Sequence, residues 1–363
     1  MVIKKGYRRA RKLFGLLRNV LHWQVTNYEN KDIAFVFNVS KWKQVYLRSY
    51  LAEYEVIYVT TKLEVRIFER LNKSHSSKTI FVWGYSAKPN LVHFAKQKAM
   101  PFYRIEDGFV RSKGLGALHN APYSLCIDKQ GMYFDSNQKS DLEDILNHYD
   151  FDSNKDLLNR SRNCINQLIE LEVSKYNHVQ KKNLDVIYGE KTRKRILVIG
   201  QVEEDASIRY GCATPTTNND LVKLASKENP EAEIIYKPHP DVLAGKRKMI
   251  SDPEEVKQIA KIVYEPLSLV DSLKTIDHVY TITSLSGFEA LLRGIKVTTV
   301  GAPFYSGWGL TDDRQNVSRR KRKLTTEQLF AGAYILYPIY IDPNTGKRIS
   351  LEDTISKVSQ SSK

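Results

Sequence analysis

Arg195-Ile196-Leu197-Val198-Ile199-Gly200-Gln201-Val202-Glu203-Glu204-Asp205-Ala206-Ser207 is the stretch that decides the fold. Its first five residues form a short apolar run of the kind that becomes a fully buried strand. Gly200 breaks the run, and an acidic cluster then opens toward Ala206-Ser207-Ile208-Arg209, the start of a helical pattern. The same strand, polar turn and helix recur downstream. Glu233-Ile234-Ile235-Tyr236 runs into Lys237-Pro238-His239-Pro240-Asp241. His278-Val279-Tyr280-Thr281-Ile282 runs into Thr283-Ser284-Leu285-Ser286-Gly287, and Val297-Thr298-Thr299-Val300 follows. Upstream, Ile33-Ala34-Phe35-Val36-Phe37, Val56-Ile57-Tyr58-Val59, Thr79-Ile80-Phe81-Val82-Trp83 and Pro101-Phe102-Tyr103-Arg104-Ile105 form an earlier series, whose last member ends at Glu106-Asp107-Gly108. Short strands alternating with amphipathic stretches predict parallel sheets with crossover helices.

Two such series separated by a charged, helix-patterned stretch at 141–191 predict an α/β protein of two Rossmann-like doubly wound domains facing a central cleft. The expected division is a basic amphipathic helix at 1–25, an N-terminal domain at 26–190 with its connecting helices, and a C-terminal domain at 191–325. A closing segment at 326–363 is expected to pack back toward the N-terminal domain. In open α/β sheets, ligands bind beyond the carboxyl ends of the strands, where all the polar runs fall.

At 363 residues and 42% hydrophobic, the chain can bury two ordinary cores. Lys and Arg total 56 against 41 Asp and Glu, a net +15, which implies an acidic partner: nucleic acid, anionic headgroups or a nucleotide-linked acidic substrate. The three cysteines are widely spaced and make neither a disulfide framework nor a zinc set, which fits a reducing cytosol. No window approaches the ~20 apolar residues of a spanning helix, and no secretory signal is evident. The N-terminal segment carries Lys4, Lys5, Arg8, Arg9, Arg11, Lys12 and Arg18 with no acid among them. Such a helix either docks with its basic face in water or lies in an anionic membrane interface, gaining ~1 kcal/mol per basic residue.

Each polar run has a functional and a plain reading. Glu106 and Asp107 suit proton transfer, since crowding and burial raise one carboxyl pKa, or they bind turn amides. Glu203-Glu204-Asp205 offers a carboxylate nucleophile with Arg209 near it in sequence, or a helix N-cap. His239, fixed between prolines at a strand exit, is placed to hydrogen-bond a phosphate. Ser284 and Ser286 suit a phosphate at a helix N-terminus, or Ser284 is an ordinary cap. Gly301-Ala302-Pro303-Phe304-Tyr305-Ser306-Gly307-Trp308-Gly309 lines a sugar or base pocket, or plugs a domain junction. Arg319-Arg320-Lys321-Arg322-Lys323 reads first as a solvated face and second as a guide for an anionic acceptor or membrane. Asp150-Phe151-Asp152 has a metal–nucleotide form but sits in a polar helical stretch, and no histidine pair has metal-ligand spacing.

Together these runs resemble the capsule-polysaccharide biosynthesis family of bacterial β-Kdo glycosyltransferases, the KpsC-like proteins. The resemblance rests on Arg104-Ile105-Glu106-Asp107-Gly108-Phe109 with Gly114-Leu115-Gly116, on Tyr133-Phe134-Asp135, and on the runs that begin at Gly200, Tyr236, Thr283 and Pro303. It implies a GT-B fold and transfer of Kdo from CMP-β-Kdo with retention, through a carboxylate–Kdo adduct. By the resemblance, Asp205 is the nucleophile, with Glu204 as its rival because it stands where the pattern has Asp. Glu106, beside Asp107, exchanges the proton of the acceptor hydroxyl. His239, Ser284 and Ser286 hold the CMP phosphate; Arg209 or Lys237 pairs with the Kdo carboxylate; Gln201, Pro240, Gly287 and Glu289 complete the donor site. No metal and no cofactor are expected. The implied partners are CMP-Kdo, a saccharide or glycolipid acceptor, an anionic membrane surface and other polysaccharide-assembly proteins, and not nucleic acid. The implied location is cytoplasmic, peripheral at the inner membrane. This chain carries one such module, which implies one linkage type. A transferase of another CMP-activated acidic sugar, such as sialic acid, and a noncatalytic anion-binding envelope protein are the rival readings.

Overall fold

The computed structural model describes residues 31–59, 77–112, 120–174 and 184–359. The basic helix expected at 1–25 and Gly114-Leu115-Gly116 lie outside the described residues.

The first apolar series forms strands β1 (Asp32–Phe37), β2 (Tyr54–Val59), β3 (Lys78–Trp83) and β4 (Phe102–Asp107), followed by β5 (Ser124–Asp128). The second forms β6 (Arg195–Ile199), β7 (Glu233–Lys237), β8 (Lys261–Ile262), β9 (His278–Thr281), β10 (Lys296–Thr299) and β11 (Asp312–Asp313), and the chain closes with β12 (Pro338–Tyr340). Strands β1 and β6 are buried almost from end to end. A parallel sheet covered on both faces demands such near-continuous apolar runs rather than alternation.

The strands make two six-stranded sheets, ordered β12-β5-β4-β3-β1-β2 and β11-β10-β9-β6-β7-β8. The second is parallel throughout. From β6 the chain steps outward through β7 to β8, then returns to β9 and steps the other way to β11. The winding therefore reverses between β6 and β9, and the crevice there is where such sheets bind ligands. In the first sheet, β1 to β4 are parallel while β5 and β12 are antiparallel to their neighbours β4 and β5. Both sheets are Rossmann-like α/β assemblies.

The halves share one core. It contains Phe109 and Cys126 from the first half, Leu197 and Phe288 from the second, and Tyr334 and Leu351 from the closing segment. The helix Thr326–Phe330 widens into a π-helical turn at Ala331–Leu336, which stacks Tyr334 on Phe330 at 4.6 Å and on Phe109 at 5.1 Å. The chain then crosses to the first sheet as β12, pairing Ile339 with Leu125. The free cysteines Cys164 and Cys212 have thiols pushed by burial up to about 12 and about 11, so neither is a thiolate at neutral pH.

Candidate active site

Strand β4 delivers Arg104, Glu106 and Asp107 to its carboxyl end. Asp107 is paired with the buried Arg111, Oδ2 lying 2.8 Å from Nε. Arg111 also donates to Ser112 Oγ at 2.8 Å and to the Asn120 carbonyl. Asp107 is thus an anchor for the turn. Glu106 Oε1 accepts the Asp107 amide at 3.0 Å, and Glu106 Oε2 faces Gly84, where an added Cβ would sit 3.3 Å away. Gly84 has φ +47 and ends β3, so a side chain there would be strained as well as crowded. Lys43 places its ammonium 3.1 Å from the Trp83 ring centroid. Burial lowers the Lys43 pKa, while Asp107 and Glu106 pull it back up.

On the other side, buried Gln201 lies two residues past the end of β6 and ties the switch point together. Its side chain accepts the Thr283 amide at 2.8 Å and donates to Thr283 Oγ1 at 3.1 Å. Its backbone exchanges two hydrogen bonds with Asn218. Gln201 therefore ties the turn after β6 to the turn after β9. Glu203 is likewise committed, accepting the amides of Asn218 and Ser251 and the Ser251 hydroxyl. Glu204 and Asp205 are exposed. Asp205 caps the helix Ala206–Gly211, and the Ser207 amide and hydroxyl both donate to its Oδ1, at 2.8 and 2.7 Å. The capping geometry fixes Oδ1 and leaves Oδ2 unbonded among the described residues. Arg209 is exposed and stacks on its neighbour Tyr210.

His239 caps the short helix Pro240–Leu243, with Pro240 as its exposed first residue. The Asp241 amide donates to His239 Nδ1 at 3.1 Å, so the neutral ring carries its proton on Nε2. Burial depresses the His239 pKa, opposed by the fields of Asp241 and Asp205. Lys237 at the end of β7 is lowered to about 8 by burial. Ser284 caps the helix Leu285–Leu292 by accepting the Ser286 amide at 3.2 Å. Tyr305 donates to the Ser284 carbonyl from below, and a Cβ on Gly287 would lie 2.3 Å from that phenolic oxygen. Glycine here lets the helix start sit on Tyr305. Glu289, one turn further, is 5% exposed and accepts from Ser174 at 3.0 Å.

The structure brings the two edges together through residues that pattern reading passed over. The Tyr133 hydroxyl donates to the Asp107 carbonyl at 3.3 Å, and its pKa is raised by burial and by Glu106, Asp107 and Asp205. Carboxylates from both halves thus act on one phenol. The carbonyl of Tyr210, at the end of the Asp205 helix, is held by the Ser136 amide at 3.1 Å and by Asn137 Nδ2 at 2.9 Å. Its ring packs on Tyr85 at 4.7 Å. Tyr133 lies in the run Tyr133-Phe134-Asp135 and Tyr210 directly follows Arg209, so proximity to singled-out residues was the one signal available.

The basic block is only in part a solvated face: Lys321 and Lys323 are exposed, whereas Arg319 and Arg320 both pair with the buried Glu143, at 2.7 and 3.4 Å. Arg320 also donates to the carbonyls of Pro303 and Ser306, and Arg322 to that of Tyr149 at 2.9 Å. The aromatic loop is the junction plug. Trp308 and Tyr305 are fully buried, and Phe304 meets Phe109 at 4.6 Å and Phe288 at 5.2 Å. Asp150 and Asp152 bind Ser153 and Gln328 in a turn, and no cluster of His, Cys, Asp and Glu among the described residues has a metal-holding arrangement. No described helix is long and apolar enough to cross a membrane.

Carboxylates thus lie at or past strand ends of both Rossmann-like sheets, with His239 past β7 and the serine-capped helix past β9. Residues 78–341 match the family described as "Capsule polysaccharide biosynthesis protein", and the chain belongs to that family. It is 44% identical over 333 residues to the lipopolysaccharide-processing protein LpsZ of Rhizobium meliloti, covering 92% of this chain and 75% of that protein. It is 44% identical over 273 residues to the capsule polysaccharide modification protein LipA of Neisseria meningitidis serogroup B, covering 75% of this chain and 38% of that protein. Among solved structures, the β-Kdo 2,4 transferase of Thermosulfurimonas dismutans KpsC matches with TM-score 0.78 and 33% identity, over 90% of this chain and 98% of that one. The β-Kdo 2,7 transferase of the same KpsC matches with TM-score 0.71 and 32% identity, over 92% of this chain and 100% of that one.

Proposed function

We propose that this protein is a retaining glycosyltransferase that moves Kdo from CMP-β-Kdo to a saccharide or lipid-linked acceptor in surface-polysaccharide synthesis. Two Rossmann-like domains, 26–190 and 191–325, form a GT-B pair with the segment 326–363 returning to the first. The observation that carries the reading is Asp205: one carboxylate oxygen is locked by its own helix cap, and the other is open at the switch-point edge. A nucleophile needs that kind of fixed orientation.

In the first displacement, Asp205 Oδ2 attacks the anomeric carbon of Kdo and the bond to the CMP phosphate breaks. His239 Nε2–H donates to the departing phosphate, and the turn at Ser284, Ser286 and Gly287 offers it a helix N-terminus. Lys237 or Arg209 pairs with the Kdo carboxylate. In the second displacement an acceptor hydroxyl attacks the same carbon, the Asp205 ester breaks, and Glu106 takes the hydroxyl proton. Two inversions give retention. Asp107 keeps its ion pair with Arg111 and positions Glu106. Glu289 and Gln201 act from behind the donor site, through the helix Leu285–Leu292 and the Thr283 turn. The protein works at the cytoplasmic side of the inner membrane.

Intact-protein mass spectrometry after incubation with CMP-Kdo tests this. The expected result is a Kdo-sized mass increase that is absent from Asp205→Ala. An adduct that survives in Asp205→Ala and disappears in Glu204→Ala moves the nucleophile by one residue. Absence of both adduct and released CMP, with turnover of CMP-sialic acid instead, overturns the donor.

A further inference from the structure

An open groove of about 490 Å³ runs beside these carboxylates, lined among others by Tyr85, His93, Lys96, Arg104, Gln138 and Tyr210. No carboxylate lines it. Pro89, Val92, His93 and Lys96 lie three to four residues apart on the helix Pro89–Gln97, so one helical face forms a wall. Tyr85 and Tyr210 meet edge to face at 4.7 Å, and the Arg104 guanidinium lies 4.3 Å from the Tyr85 ring centroid.

Arg104 differs from the buried arginines Arg111, Arg195 and Arg320. Arg111, Arg195 and Arg320 are buried in ion pairs with Asp107, Glu233 and Glu143. Arg104 makes no ion pair among the described residues, and the one hydrogen bond of its side chain there is from Nη1 to the Gly84 carbonyl at 3.1 Å. Asp135 and Asp128 act on it through space, but both are occupied. Asp135 takes the Tyr85 hydroxyl at 2.7 Å and the Asn137 amide at 2.8 Å. Asp128 takes the Gly131 and Asp141 amides and the Tyr337 hydroxyl. A half-buried guanidinium flanked by aromatic rings, with most of its donors unused, is built to receive a planar anion.

The groove also touches both edges of the reaction centre. Arg104 precedes Glu106 by two residues on β4, so both side chains leave the same face of the strand. Tyr210 ends the helix that Asp205 caps. We propose that this groove is the acceptor subsite, and that Arg104, assisted by Lys96 and His93, selects acceptors carrying an anionic group next to the attacking hydroxyl. The inference rests on the transferase reading above. The anion is either the carboxylate of an acidic sugar or the phosphate of a lipid link. The aromatic walls accept the sugar ring in both cases.

The test uses the full-length protein with CMP-Kdo and three acceptor-side probes: the methyl β-glycoside of Kdo, the same glycoside with its carboxyl reduced to a hydroxymethyl group, and glycerol 3-phosphate as a competitor. The expected result is a wild-type preference for the charged glycoside that falls about 10- to 100-fold in Arg104→Met, measured as the ratio of the two kcat/KM values. Arg104→Lys recovers part of it. A purely structural role would lower both values together and leave the ratio intact, which overturns the proposal. If only competition by glycerol 3-phosphate depends on Arg104, the anion is the phosphate. CMP release by the wild type without acceptor reports the donor reading separately. Should that release be absent, saturation-transfer NMR of the methyl glycoside with wild type and Arg104→Met still decides: equal binding to both sinks the groove assignment.

Discussion

The two strand-end edges present carboxylates in opposite ways. At the end of β4 the acids belong to the strand itself, and Asp107 is locked to the buried Arg111. Beyond β6, β7 and β9 the polar groups sit one step past the strand as helix caps: Asp205, His239 and Ser284 each accept a backbone amide of their own helix. An acid in a strand takes its position from the sheet, and its chemistry from burial and neighbouring charge. A capping side chain takes its position from a local turn and keeps one atom free for a ligand. The first arrangement suits proton exchange with a bound hydroxyl; the second suits attack and phosphate binding.

The sharpest way to break that contrast is to disable each edge alone. Asp205→Ala should lower transfer by about 10⁴-fold and abolish the adduct, while Glu106→Gln should lower transfer by ~10²–10⁴-fold and still form the adduct. Loss of the adduct in both, measured by intact mass, would mean that the edges do not divide the steps. The junction that holds the edges opposite one another offers the next test. Glu143→Ala leaves Arg320 buried without a carboxylate and should cost about 3–5 kcal/mol in denaturant unfolding. A loss near zero would mean that the Glu143–Arg320 pair does not hold the junction.

Gly287→Ala probes the capped edge, because the new methyl would overlap the Tyr305 hydroxyl that supports Ser284. Destabilisation of ~1–3 kcal/mol, together with a raised donor KM, is expected. A smaller effect comes from His278 at the start of β9, held down to about 4 from 6.5 first by burial and then by Lys194. The unfolded chain binds a proton on this ring below about pH 6.5, whereas the folded chain does not until about pH 4. Stability is therefore full above this window and declines as pH falls through it. His278→Gln should flatten that part of a thermal-stability profile, and an unchanged slope would assign it to other groups.

Much of the sheet framework was legible before any coordinates. The apolar runs at Ile33, Val56, Thr79, Phe102, Ile196, Ile234, Val279 and Val297 all became strands, because burial on both faces requires continuous apolar sequence. Strands β8 and β11 have two residues each, too few to leave a pattern. Strand β12 reads as an aromatic run, Tyr337-Pro338-Ile339-Tyr340, and only its antiparallel pairing with β5 makes it a strand. In the candidate site, His239 stood out by its flanking prolines, Ser284 by its strand-to-helix turn, and Asp205 by an acidic run whose role came from the family resemblance. Tyr133, Tyr210 and Arg104 did not, because nothing local distinguishes a tyrosine or arginine that reaches across a junction from one in solvent. The pairing of Arg319 and Arg320 was hidden for the same reason: their partner Glu143 lies 177 positions from Arg320 in the chain.

What the sequence determined by itself was local: where strands run, where they end, and which polar residues cap the helices that follow. These depend on apolar continuity and on hydrogen bonds between residues two or three apart. What only the tertiary structure decided was pairing at long range. It set Glu143 against two arginines, brought Tyr133 under the fields of Glu106 and Asp205, and left Arg104 with donors to spare. A charge is solvated, neutralised or poised according to what stands across from it, and that is fixed only when the two halves meet.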